Sequence, residues 1–138
     1  MKTIPIRRQA GIALLEAMLA IVILGIGLLG TVGLQARAYS ALSDAGMRAE
    51  ATVAGEKLLG VMTADTANLA AYTLAENGTP GPVIAPWVAE TRAAIPGAVV
   101  SVTVTRKVFQ TQVDIAIRWQ RKANTEQNRH LLTSYIAN

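Results

Sequence analysis

The sequence predicts an α+β protein in which a long N-terminal helix covers a small antiparallel sheet of three strands. Three observations lead to this expectation. The stretch from Ile12 to about Asp65 contains no proline and is rich in residues that favour helices. Residues 66–98 are rich in turn signals, and from Ala98 onward apolar and polar residues alternate. Strands of this kind need a cover on their apolar face, and the helix can supply it.

The first half of the helix is apolar enough to span a membrane. Residues 12–36 provide about 25 residues with one charged side chain, and a bilayer needs roughly 20. A secretory signal peptide would have a shorter apolar core followed by a cleavage site. Lys2, Arg7 and Arg8 precede the run, and no comparable basic cluster follows it closely. We therefore expect the N terminus to lie in the cytoplasm and the C-terminal portion to face outward.

Glu16 interrupts this run and is the only charged residue between Arg8 and Arg37. A charged side chain at the centre of a bilayer costs on the order of 2.5–3.5 kcal/mol on insertion scales, so such residues usually have a partner and a function. We interpret Glu16 as a functional site. The alternative is a membrane protein in which Glu16 lies near the lipid headgroups and contacts water.

Four glycines weaken the membrane half of the helix, because each costs about 0.5–1 kcal/mol of helix stability relative to alanine. These glycines are Gly25, Gly27, Gly30 and Gly33. They either let neighbouring helices pack closely or allow local unwinding of the helix. The second half, residues 37–65, is predicted to be amphipathic. We expect its apolar stripe to cover the sheet and assign to it Ala38, Leu42, Ala45, Ala49 and Val53.

The connecting region, residues 66–98, contains four of the five prolines and is expected to hold short helices at most. Pro86 suits the first turn of one such helix, and Pro96-Gly97 would end it. Trp87 on this helix is interpreted as a core anchor and not as a ligand platform.

The last part of the chain, residues 99–138, is predicted to form the sheet. Valines alternate with serine and threonine before a turn at Arg106-Lys107, and a second alternating run ends at Trp119. A polar loop over residues 120–129 leads to a third run, His130 to Ile136. The expected topology is an antiparallel meander.

The sequence offers no combination of residues for an enzyme, a metal site or a cofactor. The absence of cysteine excludes disulfides, thiolate metal sites and cysteine nucleophiles. His130 is the only histidine, and we expect it to lie on the surface or on an edge strand. No serine lies in a glycine elbow, and there is no phosphate-binding glycine loop.

Around the start of the apolar run, Arg8-Gln9-Ala10-Gly11 followed by Ile12-Ala13-Leu14-Leu15-Glu16 resembles the class III processing signal of type IV pilins and their pseudopilin relatives. The resemblance implies the pilin fold for the whole chain. The segment from Ile23 to Gly30, followed by Gly33-Leu34-Gln35-Ala36, is similar to minor pilins of the type IV pilus modification (PilV-type) group.

The resemblance implies that a prepilin peptidase cuts after Gly11, methylates the new terminus at Ile12 and so removes the leader, residues 1–11. Glycine lacks a side chain and passes through a narrow peptidase cleft. The new cationic amine then provides a partner for Glu16, in the same or in a neighbouring subunit. The chain is thereby divided into the leader, the two halves of the helix, the connecting region and the β-sheet head.

As a minor pilin, the protein would lie in the bacterial inner membrane with a periplasmic head before entering the pilus. The implied partners are other minor pilins and the major pilin, through helix packing, and the implied roles are pilus initiation, adhesion, twitching motility and DNA uptake. The alternative is a minor pseudopilin of a type II secretion system. Arg121 and Lys122 could contact DNA phosphates, but a solvated loop explains them better, so nucleic acid is not an expected partner.

Overall fold

The structure of the chain is a computed structural model that describes residues 10–120 and 126–137, with side chains from residue 12 onward. It consists of two compact units, Met1–Ser43 and Asp44–Asn138. One helix, α1, runs through both units from Ala10 to Ala64. The predicted division of the chain into five parts stays a prediction.

In the first unit the described residues are helical throughout, and nearly all their side chains are exposed. The most apolar window of 18 residues in α1 has a mean hydropathy of 2.7. By length and composition, α1 can therefore cross a membrane, in agreement with the sequence.

The second unit contains the predicted sheet. Its strands are β1, Val99–Arg106; β2, Gln110–Trp119; and β3, Asn128–Ala137. They are antiparallel and lie in the order β1-β2-β3. Ile115 at the middle of β2 pairs with Val102 on one side and Leu132 on the other. The α+β class and the three-stranded meander are confirmed.

The C-terminal part of α1, within the second unit, covers one face of this sheet. Its buried positions are spaced four, three and four residues apart, as expected of one helical face, and they are Ala51, Gly55, Leu58 and Met62. On the sheet side the core contains the alternate residues of β2, including Ile115 and Trp119.

The predicted apolar stripe of α1 was wrong. Leu42 is 69% exposed and Val53 is 59% exposed, and Ala45 and Ala49 are exposed as well. Small and apolar residues occur on all sides of this part of the helix, so periodicity does not distinguish its faces. Close approach to the sheet decides instead: a Cβ atom at Gly55 would lie 3.4 Å from a methyl carbon of Leu132.

The connection between α1 and the sheet forms two short helices. A 3₁₀ helix spans Thr66–Tyr72, and the helix α2 spans Ala85–Ala94 with Pro86 in its first turn. Beyond α2, Gly97 adopts a φ of 75°, a conformation that favours glycine. Trp87 is buried and donates its indole N–H to the carbonyl of Ala54 at 2.8 Å. The predicted helix and the core position of Trp87 are therefore confirmed.

Candidate processing and assembly site

Gly11, Ile12 and Glu16 lie in the first two turns of α1. Residues four apart in a helix share one face, and helical side chains tilt toward the N terminus. The side chain of Glu16 therefore lies on the same face as Ile12 and tilts toward it. The side chains of Ile12 and Glu16 are both exposed, and the residues between them are apolar. This arrangement leaves the carboxylate on an apolar helix surface that is open to a partner.

Within the described part of the chain, Glu16 forms no ion pair. A carboxylate that enters an apolar environment must either bring a compensating charge with it or lose its own. The nearest basic residue after it in sequence is Arg37, 21 positions further along the helix. At 1.5 Å per residue the two are roughly 30 Å apart along the axis, too far to pair. Among the residues that the structure describes, no basic side chain therefore lies within reach of Glu16.

The four glycines of the apolar half lie in an uninterrupted helix. A Cβ atom built on any of them, Gly25, Gly27, Gly30 or Gly33, meets nothing within 4 Å. Contacts within the chain therefore do not require glycine at these positions. The structure leaves both interpretations of them open, close packing of neighbouring helices and local unwinding.

The predicted basic site, Arg121 and Lys122, lies outside the described residues, as does the leader up to residue 9. Two of the neighbouring described cations have partners in the head. Arg118 forms an ion pair with Glu76. The ammonium of Lys107 donates to Oε1 of Gln112 at 2.7 Å and lies 5.5 Å from the centre of the Tyr135 ring.

His130 lies on β3, at the edge of the sheet, as expected, and is half-buried. Its Nε2 atom faces the backbone of Gly55, at 3.9 Å from the position of a Cβ there. Among the residues that the structure describes, no three histidine or acidic side chains are placed to hold a metal ion.

Sequence reasoning did not find the polar contacts between the elements of the head. Lys57 on α1 pairs with Glu90 on α2 at 2.6 Å, and Arg48 on α1 donates to Oδ1 of Asn128 on β3 at 2.7 Å. These partners are 33 and 80 residues apart. No local spacing rule connects such distant residues, so only the folded chain identifies them.

A third contact joins the end of α1 to the 3₁₀ helix. The hydroxyl of Tyr72 donates to Oδ2 of Asp65 at 2.9 Å, and the side-chain amide of Asn68 donates to Oδ1 at 2.7 Å. Burial raises the pKa of Tyr72, and the hydrogen bond to Asp65 and its negative charge raise that pKa further.

Residues 6–32 match the prokaryotic N-terminal methylation motif, which includes Gly11, Ile12, Glu16 and three of the four glycines. No curated protein and no solved structure matches the chain. The motif is the class III prepilin signal, which is a substrate of prepilin peptidase. This signal, together with a long apolar helix and a small α+β head, supports a type IV pilin-like protein.

Proposed function

We propose that the protein is a minor pilin that is processed after Gly11, methylated at Ile12 and inserted into a type IV pilus by means of Glu16. The observation that carries this proposal is the spacing of Glu16, four residues after Ile12 on one face of an apolar helix. Cleavage creates a cation where the intact chain has a neutral peptide bond. The carboxylate and the cation are then complementary.

The electrostatics explain why processing would precede assembly. Before cleavage, a bundle of helices would hold the charge of Glu16 in an apolar environment without compensation. After cleavage, an amine at Ile12 of the same or a neighbouring subunit offsets that charge. Apolar side chains between them, such as Leu14 and Leu15, would supply adhesion, and the charge pair would set the axial position of the subunit.

The head suits a subunit more than a catalyst. Its polar contacts, such as Lys57 with Glu90 and Arg48 with Asn128, join secondary-structure elements. The cavity between α1 and α2, about 240 Å³, is bordered by Leu58, Tyr72 and Trp87 and is mainly apolar. Neither feature supplies a nucleophile with a base. An anchored enzyme therefore receives no support from the described residues.

The N terminus of the mature protein tests the processing step. We would express the full chain in a bacterium that assembles type IV pili and determine the terminal peptide of the pilus fraction by mass spectrometry. The expected terminus is Ile12 carrying one methyl group. A terminus at Met1 in mature pili would contradict the proposal.

The role of Glu16 is tested by Glu16→Ala in the same strain. Loss of one partner of a buried ion pair costs about 3–5 kcal/mol, so we expect the amount of the variant in sheared pili to fall more than tenfold. Processing after Gly11 should remain normal. Glu56→Ala removes an exposed carboxylate further along α1 and is the matched control. Normal incorporation of Glu16→Ala would exclude this role.

Minor pseudopilins of type II secretion systems share the signal and are the second candidate. Deletion of the gene separates the two functions. Loss of piliation or twitching supports the minor pilin, whereas loss of protein secretion with normal pili supports the pseudopilin.

A further inference from the structure

The sheet is buried unequally at its two sides. All core-facing residues of the central strand β2 are buried, and these are Thr111, Val113, Ile115, Ile117 and Trp119. On β3, four of the five residues with the same orientation are only half-buried, namely Asn128, His130, Leu132 and Ser134. The cover supplied by α1 therefore ends along β3, and the margin of the core is open there.

The backbone of β3 is open at the same margin. The strand is ten residues long, and among the described residues it pairs with β2 alone. In an antiparallel edge strand, alternate N–H and C=O groups point away from the sheet and are available to another strand. The opposite edge differs, because Leu74 bridges Val102 of β1 through two hydrogen bonds of 2.9 and 2.8 Å.

β3 has few of the features that protect edge strands from pairing, Arg129 being its one arginine or lysine. Natural edges carry prolines, charged side chains, especially lysine, inward-pointing charges or bulges. The sequence of β3, Asn-Arg-His-Leu-Leu-Thr-Ser-Tyr-Ile-Ala, contains no proline, no lysine and no acidic residue. Its pairing with β2 is continuous from Asn128 to Ala137, without a bulge.

The positive charge on β3 lies at the start of the strand, at Arg129. Arg129 pairs in register with Arg118, so two cations lie side by side at the start of β3. Arg118 is compensated by Glu76, whereas Arg129 forms no ion pair with any residue that the structure describes. A strand beside β3 would be stabilised by a carboxylate at this end. Leu131 and Tyr135, about half exposed on the outer face, favour apolar residues further along it.

We propose that the free edge of β3 binds an extended segment of another protein as a fourth strand of the sheet. The segment has apolar residues at alternate positions and an acidic residue opposite Arg129. It completes the backbone pairing of β3 and covers Leu132 at the margin of the core. A second copy of β3 does not fit this description, because β3 has no carboxylate to place beside Arg129.

Synthetic strands test the proposal without requiring pilus assembly, so its failure and that of the proposed function are distinguishable. The probes are fluorescent ten-residue peptides of alternating valine and threonine with glutamate near either end. Matched peptides carry lysine in place of glutamate, or N-methylated backbones. The full chain is kept in detergent micelles, and binding is measured by fluorescence anisotropy. Saturable binding of one glutamate peptide, with both matched peptides bound at least about tenfold more weakly, is the expected result.

Two variants locate the bound peptide. Arg129→Glu is expected to reverse the preference between the glutamate and lysine peptides, and Leu132→Lys places a charge at the margin and blocks both. Val83→Ser, at an exposed apolar residue of the connecting region, is the matched control and leaves binding unchanged. Buried Trp87 and Trp119 report folding by their fluorescence, and Arg129→Glu remains decisive where Leu132→Lys unfolds.

Hydrogen exchange gives a second measure. On binding, alternate amides of β3, those that point away from β2, are expected to become protected. The proposal is overturned where no peptide binds, where binding persists unchanged in Arg129→Glu, or where the free protein forms dimers in which β3 of one copy pairs with β3 of the other.

Discussion

The indole N–H of Trp87 donates to the backbone carbonyl of Ala54 at 2.8 Å, so one side chain of α2 fastens that helix to α1. The carbonyl is part of the ladder of α1, and it can accept a second bond because it has two lone pairs. Trp87 therefore combines burial of a large ring with a directed contact. This contact fixes the connecting region against the helix that covers the sheet.

Trp87→Phe is expected to destabilise the head by about 1 kcal/mol, since the hydrogen bond is lost while most of the apolar area remains. Trp87→Ala is expected to cost about 3–5 kcal/mol, because a cavity is left as well. Urea unfolding of the full chain in micelles, followed by the fluorescence of Trp119, measures both. Equal effects of the two variants would show that the hydrogen bond, and not the ring, dominates.

Gly55 lies where α1 approaches Leu132 of β3. A Cβ atom there would meet Leu132 at 3.4 Å, an ordinary contact distance, so Gly55→Ala is accommodated. Alanine also raises helix propensity, by up to about 1 kcal/mol, and we expect a neutral or slightly stabilising effect. Gly55→Leu inserts further carbons against Leu132 and should destabilise the head by about 1–3 kcal/mol.

Gly60→Leu is the matched control for this substitution. Gly60 lies on the same helix, is exposed, and has nothing within 4 Å of its would-be Cβ. Its replacement by leucine should therefore leave stability unchanged or raise it slightly. If Gly55→Leu and Gly60→Leu unfold at the same urea concentration, the close approach at Gly55 does not limit packing.

Tyr72 gives the head a dependence on alkaline pH. Its pKa is raised in the folded protein, so the folded state holds the phenolic proton more tightly than the unfolded state. The resulting stabilisation is complete below the ordinary pKa of about 10 and is lost as pH rises through the folded pKa. Stability should therefore fall above pH of about 10, where the unfolded chain loses this proton first.

Tyr72→Phe isolates this effect. The variant lacks the bond to Asp65 and is expected to be less stable by about 1 kcal/mol at neutral pH. The difference in unfolding free energy between the two proteins should shrink as the pH rises above about 10. A difference that is constant between pH values of about 8 and 11 would contradict the prediction.

The strands and the processing signal were predictable from the sequence because their determinants are local. Alternation specifies the faces of β2, and the order of Gly11, Ile12 and Glu16 is the signal itself. The buried face of α1 was not predictable. Ala49 and Ala51 are equally small, and only contact with β3 through Gly55 shows which side of the helix is covered. Contacts such as Arg48 with Asn128 form only when α1 packs against β3, so they were not predictable from the sequence either.

The glycines of the apolar half allow the two interpretations of them to be separated in assembled pili. Alanine at Gly25, Gly27, Gly30 or Gly33 meets nothing within the chain and strengthens the helix by about 0.5–1 kcal/mol. If the glycines admit close neighbours, Gly30→Ala should still enter pili, because alanine also permits close packing, whereas Gly30→Leu should be excluded. If the helix must unwind, Gly30→Ala should already reduce entry, since it stabilises the helical state.

The amount of each variant in sheared pili, relative to the amount processed in the membrane, measures the difference. We expect the first result, since the helix is continuous through all four positions and a side chain there finds open space.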